Sequence, residues 1–239
     1  MRELEGSVHE IRLLDDGEAD RVWAKVHDLR TDWVQRHDEL PFFTLGAASY
    51  LDATNGRFAD YQAKARRFNP LLREHFGWLL DRLAERFSEH VGRTAFYDER
   101  LALPGFHVFL AHPAFASNTA SVHYDLQYQS IDWTEIGAAN ADEQRSLTLA
   151  VRLPASGAGL RIWDIDARDM AGLDPDAQRD WRAAHRRPTR VRYGTGLLLV
   201  HSGHHLHQIA PLEDQRPGDE RVTLQAHGLP VGDRWLLYW

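Results

Sequence analysis

The chain predicts an α+β fold with a mainly β core, in which helices pack on an antiparallel sandwich or jelly roll. Three observations lead there. The first third carries apolar residues at helical spacing, the stretch from about residue 104 breaks into short β-rich runs, and no low-complexity linker divides the two. The 239 residues are read as one domain, with residues 1–103 as a mainly helical N-terminal support and 104–239 as the β core.

In chain order, Val22, Val26, Leu29 and Trp33 fall on one helical stripe. After Pro41 and the glycines Gly46 and Gly56, Asn69-Pro70 reads as the start of a longer helix. Its stripe is Leu72, Phe76, Leu79, Leu83 and Phe87, and Gly92 is its stop. Strands are expected at Phe106–Ala111, Ser121–Tyr128, Leu147–Leu153, Gly159–Ile165, Arg190–Tyr193, Gly196–His201, Leu206–Ala210, Arg221–Ala226 and Trp235–Trp239, most of them bounded by Gly, Pro, Asn or Asp. A helix near Pro175–His185 interrupts the series, and the apolar Trp235–Trp239 is expected as the last core strand.

Composition narrows the chemistry. Without cysteine there is no disulfide framework, zinc ribbon or thiol nucleophile, so a metal would be held by imidazole and carboxylate. Met1 to Gly17 is polar and acidic, unlike a signal peptide, and no run approaches a membrane span of roughly 20 apolar residues. A cytoplasmic location is the default expectation, with no membrane partner. The net charge of −7 argues against a nucleic-acid partner. One basic run, Arg182, His185, Arg186, Arg187, Arg190 and Arg192, reads either as a docking patch or as a solvated helix end. Eight tryptophans point to a deep core or an aromatic-lined pocket.

His123-Tyr124-Asp125 lies in a strand-like run, where residues two apart share a face. An imidazole and a carboxylate would project together, either as a hydrogen-bonded pair or as two members of a 2-His-1-carboxylate metal site. With 14 histidines, roughly two His-x-Asp/Glu matches arise by chance. The second, His37-Asp38-Glu39, reads as a polar helix terminus. A third ligand is expected in His201-Ser-Gly-His204-His205-Leu-His207: His207 sits within the apolar run, and His205, at its mouth, is the reserve. His204 and the other histidines are candidates to orient ligands, or are polar loop residues. Arg221 and Thr223 share a strand face, and a guanidinium beside a hydroxyl can grip a carboxylate, although an arginine on an edge strand is also commonplace.

Taken together, His-x-Asp, a distant histidine and then Arg-x-Thr resemble the Fe(II)/2-oxoglutarate-dependent oxygenase superfamily, over roughly residues 104–239. Gly-Leu-Arg-Ile-Trp at 159–163 and Tyr193-Gly194-x-Gly196-Leu197-Leu198 are supporting matches. The resemblance implies a double-stranded β-helix, a relative of the jelly roll. It implies His123, Asp125 and His207 as catalytic iron ligands, Arg221 as the partner of the cosubstrate's far carboxylate, and Thr223 as its assistant. It implies Fe(II) as cofactor, 2-oxoglutarate as cosubstrate, dioxygen and a small molecule as further substrates, and a dioxygenase reaction. Related halogenases carry a small residue where Asp125 stands, so the aspartate favours hydroxylation, with desaturation, cyclisation and demethylation as the alternative outcomes. Expected substrates are a free amino acid or a natural-product intermediate; the alternatives are a peptide or protein side chain, or a cupin-like metal-binding protein without oxygenase activity. Candidate substrate contacts are Gln127, Tyr128, Arg152 and Trp163, with Trp163 as core and Arg152 as surface charge the competing reading. Segments 112–120 and 129–144 are candidate lids.

Overall fold

The computed structural model describes residues 8–117, 120–184 and 187–239. In chain order the elements are β1 (Val8–Arg12), α1 (Asp16–Asp28), β2 (Val34–Gln35), β3 (Phe42–Leu45), α2 (Ser49–Asp52), α3 (Phe58–Val91), β4 (Ala95–Phe96), β5 (Gly105–Leu110), β6 (Arg145–Arg152), β7 (Leu160–Asp166), α4 (Ala167–Met170), α5 (Pro175–Ala184), β8 (Thr189–Val191), β9 (Leu197–His201), β10 (His205–Ile209), β11 (Glu220–Val231) and β12 (Arg234–Tyr238).

The strands form two antiparallel-rich sheets. The larger runs β1-β9-β6-β11-β5-β3-β2, with β12 joining β11 to β4; the smaller runs β10-β7-β8. This is the jelly-roll core that the short β-rich runs predict. Alternation on the large sheet sets its two faces. Val222, Leu224 and Ala226 of β11, Leu147, Leu149 and Val151 of β6, and Phe106 and Val108 of β5 enter one apolar cluster. Val22 and Val26 of α1 and Phe68, Leu72, Phe76, Leu79, Leu83 and Phe87 of α3 fill the same cluster from the helical side. The opposite face is left to look toward the small sheet.

Three expectations change. Asn69-Pro70 does not start a helix: α3 begins at Phe58 and carries Pro70 inside it. Buried Tyr61, Ala65 and Phe68 extend the stripe upstream, so burial of a continuous apolar face overrides the loss of one backbone donor. Asn69 helps from the outside, donating to the Leu101 carbonyl (2.8 Å) and accepting from the Leu103 amide (2.9 Å). Gly92 is the stop, with φ 69° at the helix C-cap. The first third is not wholly helical either, since β1 pairs with β9 and β3 with β5, widening the large sheet at both sides. Finally, Ser121–Tyr128 is no strand. It makes one isolated bridge, His123 to His207, and Gln127–Ser130 turns into a 3₁₀ helix.

Segment 129–144 is packed rather than lid-like. Ile131 is buried, Trp133 and Ile136 join an apolar cluster with Leu229 and Tyr238, and Ala139 bridges to Val231. The basic run is only partly described. His185 and Arg186 lie outside the described residues, and Arg190 pairs with Glu213. No helix among the described residues is long and apolar enough to cross a membrane.

One ion network sets the position of α2. Asp52, only 2% exposed, accepts from Arg36 through both oxygens (2.8 and 2.9 Å), from the Ala48 amide (2.9 Å) and from Lys64. Burial opposes the carboxylate's charge, but Arg36 and Lys64 outweigh it and hold its pKa below 3.8. Its folded-state pKa being depressed, its stabilisation is present above pH 3.8 and fades as pH falls through the lower folded value. Asp52→Asn is therefore expected to cost about 3 kcal/mol at pH 7. In urea unfolding the gap from the parent should close on acidification below that range.

Candidate metal centre and cavity

The face of the large sheet turned away from the helices lines a cavity of about 450 Å³, closed on the far side by Leu160, His207 and Ile209 of the small sheet. Arg221, Gln225 and His227 of β11, Thr148 of β6, His107 and Phe109 of β5 and His201 of β9 face into it. These are the alternate residues to those in the core, as the two-residue period of a strand requires.

His123 and His207 meet through the isolated bridge, each amide donating to the other's carbonyl at 2.9 Å. The Asp125 amide donates to the Gly203 carbonyl at 2.8 Å, so backbone bonds deliver all three side chains without a strand at 121–128. Gly203 has no room for a β-carbon, which would overlap the Gln144 amide and the Ser146 hydroxyl. The His207 Nε2 lies 3.3 Å from Asp125 Oδ2, and the His123 Nε2 lies 3.7 Å from Oδ1.

The tautomers follow from the partners. His123 Nδ1 is 2.8 Å from the Ser121 carbonyl and His207 Nδ1 is 2.7 Å from the His205 carbonyl. A carbonyl only accepts, so each Nδ1–H donates to its carbonyl and Nε2 is the ring nitrogen that faces Asp125 and would be offered to a metal. Asp125 Oδ2 accepts from the Ser146 hydroxyl at 2.6 Å, which fixes the carboxylate. Burial alone would raise the Asp125 pKa, yet His207, by charge and hydrogen bond, holds it well below the usual carboxylate range. Burial opposes charge on His207 as well, and Asp125 more than compensates, raising its pKa. The three ligand atoms lie within 4.8 Å of one another. At that spacing all three side chains could hold a single ion. Two imidazole lone pairs and one carboxylate are the donor set that suits non-haem iron.

His205 does not join them. A register shift between His205 and His207 breaks the two-residue periodicity, and His205 falls opposite Asp166. His201 lies against the His207 ring at 4.9 Å; burial and the His207 charge push its pKa down to about 3, keeping it neutral. His204 is edge-on to Tyr128 at 6.1 Å. His37 accepts from the Glu39 and Leu40 amides (3.1 and 3.2 Å) and so closes a turn.

Arg221 is fully buried, and none of its three guanidinium nitrogens has a hydrogen-bond partner. It stands 5.4 Å from both the Phe109 and Tyr193 ring centres. Burial lowers its pKa, and the neighbouring Tyr193 opposes that shift in favour of the cation. Thr223, on the same strand face, accepts from the Gln225 amide at 2.8 Å. A buried cation of this kind, facing the cavity that holds the triad, is complementary to a carboxylate.

Of the four candidate substrate contacts, the cavity takes one. Gln127 lines it, with its amide 3.0 Å from the His227 Nδ1. Tyr128 packs in the cluster around Leu229 and Tyr238, and Trp163 packs with Ile165, Met170 and Leu206. Arg152 is exposed on β6, 3.5 Å from Asp20 and over the Trp23 ring. Arg152 and Trp163 therefore follow the competing reading of the sequence; a register shift of β6 against β11 takes Arg152 out of the strand alternation, and it meets Asp20 and Trp23 of α1 instead. Ser146, Tyr50, His107, Tyr193, His227 and Trp239 were not legible as site residues. The alternation Arg221-x-Thr223-x-Gln225-x-His227 was the one available signal for His227.

No family model and no curated protein matches the chain. Solved structures do. An N-substituted L-amino acid dioxygenase from Burkholderia ambifaria AMMD, in complex with alpha-KG, shares 17% identity over 98% of this chain and 87% of its own, with a TM-score of 0.55. A second structure of that dioxygenase from the same organism gives the same identity and coverage at a TM-score of 0.57. The non-heme alpha ketoglutarate dependent epimerase SnoN from nogalamycin biosynthesis shares 14% over 95% of this chain and 80% of its own, at 0.52. At these identities the likeness is one of fold: the chain shares the fold of alpha-ketoglutarate-dependent enzymes.

Proposed function

We propose that this protein is a non-haem Fe(II)/2-oxoglutarate-dependent oxygenase that hydroxylates a small metabolite, an amino acid or a natural-product intermediate, in the cytoplasm. The observation that carries this reading is the buried, unpartnered Arg221 guanidinium in the same cavity as His123, Asp125 and His207. A metal-binding protein of cupin type has use for the triad and none for a desolvated cation left unpaired.

His123, Asp125 and His207 would hold the iron, and Arg221 would take the far carboxylate of 2-oxoglutarate. When bound, iron with 2-oxoglutarate and dioxygen supplies the oxidising power to functionalise a C–H bond. The chain's own contribution is placement. The Ser121 and His205 carbonyls hold both imidazoles in the tautomer that offers Nε2, and Ser146 holds the carboxylate. Phe109 and Tyr193 hold the guanidinium between them and away from water. A cavity of about 450 Å³ suits a small ligand.

The test is anaerobic addition of Fe(II) and 2-oxoglutarate to metal-free protein, reading the weak visible metal-to-ligand charge-transfer band. The band is expected, and is expected to vanish in Arg221→Met. Iron binding without a band would return Arg221 to a structural role and favour the cupin-like alternative. Ser146→Ala should weaken Fe(II) binding about 10- to 100-fold, the usual effect of removing a ligand's supporting hydrogen bond. An unchanged iron titration would show that Asp125 needs no such support.

A further inference from the structure

Outside the His123–Asp125–His207 triad and Arg221, the described residues lining the cavity include no Asp, Glu, Lys or Arg. One part of the wall is aromatic. Phe42 and Phe109 are stacked with centroids 4.3 Å apart, and Trp239 lies 5.2 Å from the His107 ring. Two glycines make room for that indole: a β-carbon on Gly105 would overlap the Trp239 ring, and one on Gly46 would stand 3.0 Å from it.

Within this aromatic surround sits one polar point. The Tyr50 hydroxyl is 2.7 Å from His107 Nε2, and the other ring nitrogen, Nδ1, is buried without a partner on a side chain 7% exposed. Burial drives the His107 pKa well below the imidazole range, with Arg221 and Arg36 acting in the same direction. Burial pushes the Tyr50 hydroxyl up and takes His227 down to about 4. All three are therefore neutral at pH 7. The ions behind Tyr50 are engaged with each other, Arg36 and Lys64 both on Asp52.

Building on the proposed function, in which Asp125 serves the metal and Arg221 the cosubstrate, we infer that the second substrate is an uncharged, hydroxyl-bearing ring compound. Its ring packs against Phe42, Phe109 and Trp239, and its hydroxyl bonds to His107 Nδ1. A hydroxyl suits either state of the imidazole: it accepts if Nδ1 carries the proton and donates if Nε2 does. A free amino acid would bring an ammonium and a carboxylate into a wall with no remaining counter-charge, which buried ions tolerate badly. Flat aromatic walls, by contrast, favour offset or edge-on ring contacts. This narrows the small-metabolite class to its natural-product-like members.

The test is calorimetric titration of protein loaded with Mn(II) and N-oxalylglycine, a 2-oxoglutarate analogue. The probes are 2-naphthol, naphthalene, 2-naphthoate and 2-naphthylmethylammonium. 2-Naphthol is expected to bind at least about tenfold tighter than either ion and severalfold tighter than naphthalene, the scale of one desolvated charge and one hydrogen bond. His107→Leu should abolish the advantage of 2-naphthol over naphthalene. Should that variant fail to fold, Tyr50→Phe should reduce the advantage. Either ion matching 2-naphthol, or no binding of 2-naphthol at all, overturns the inference. Absence of N-oxalylglycine binding in the first step would instead overturn the cosubstrate reading, and 2-naphthoate would then bind through the free Arg221.

Discussion

Arg221→Met is expected to make the protein more stable and, under the proposed function, unable to bind its cosubstrate. The guanidinium is fully buried with all three nitrogens unpartnered, so in the cosubstrate-free protein it carries an uncompensated desolvation cost. A methionine of similar reach removes that cost. The attraction of the cation to Phe109 and Tyr193 is lost at the same time, offsetting part of the gain. A net stabilisation of about 1–2 kcal/mol follows, within the range seen when buried ions give way to apolar residues. Under the proposed function the same change would delete two charge-assisted hydrogen bonds to the far carboxylate of 2-oxoglutarate, weakening its binding about 10²- to 10³-fold. Urea unfolding with Mn(II), with and without 2-oxoglutarate, checks both halves. The parent should be stabilised by 2-oxoglutarate, and the variant should start higher and not respond. A variant that is less stable than the parent would mean that Arg221 is satisfied within the protein.

The second large effect lies in the histidine cluster. His207→Ala should weaken Fe(II) binding more than about 100-fold, beyond the range of changes outside the ligand set, while His205→Ala should stay below about tenfold. They stand only two positions apart, but the register shift on β10 leaves His207 facing Asp125 at 3.3 Å and His205 opposite Asp166. Under the proposed function, Asp125→Ala should abolish turnover, since it would remove the one anionic iron ligand and leave His207 without the carboxylate that raises its pKa. Iron titrations of the three variants rank them. Loss of iron in His205→Ala with retention in His207→Ala would place the metal one strand step away.

Residue pattern carried the elements whose periodicity is strong and whose partners are local. The stripes of α1 and α3, the Gly92 stop and most of the β-rich runs belong to this group, because a buried face repeats at 3.6 or 2 residues whatever it packs against. The start of α3 was hidden by Pro70, whose local penalty points to a boundary. Burial of Tyr61, Ala65 and Phe68, a tertiary effect, overrules it.

The ordered pattern His123-x-Asp125, His207 and Arg221 was legible as a set of residue types. The convergence of those residues was not, and it arises differently from the pattern's premise. Residues 121–128 bring His123 and Asp125 together through single backbone bonds to His207 and Gly203, not through strand periodicity. Such bonds span some 80 residues and leave no mark on local sequence. The same holds for the cavity wall. Tyr50 reaches it because Asp52 is held by Arg36 and Lys64, and Trp239 because Gly46 and Gly105 make space. Sequence alone thus determined which chemical groups were available and which faces had to be buried. The tertiary structure decided which of those groups meet, and it left one arginine buried without a counter-ion, because only long-range packing can bring distant side chains into one desolvated space.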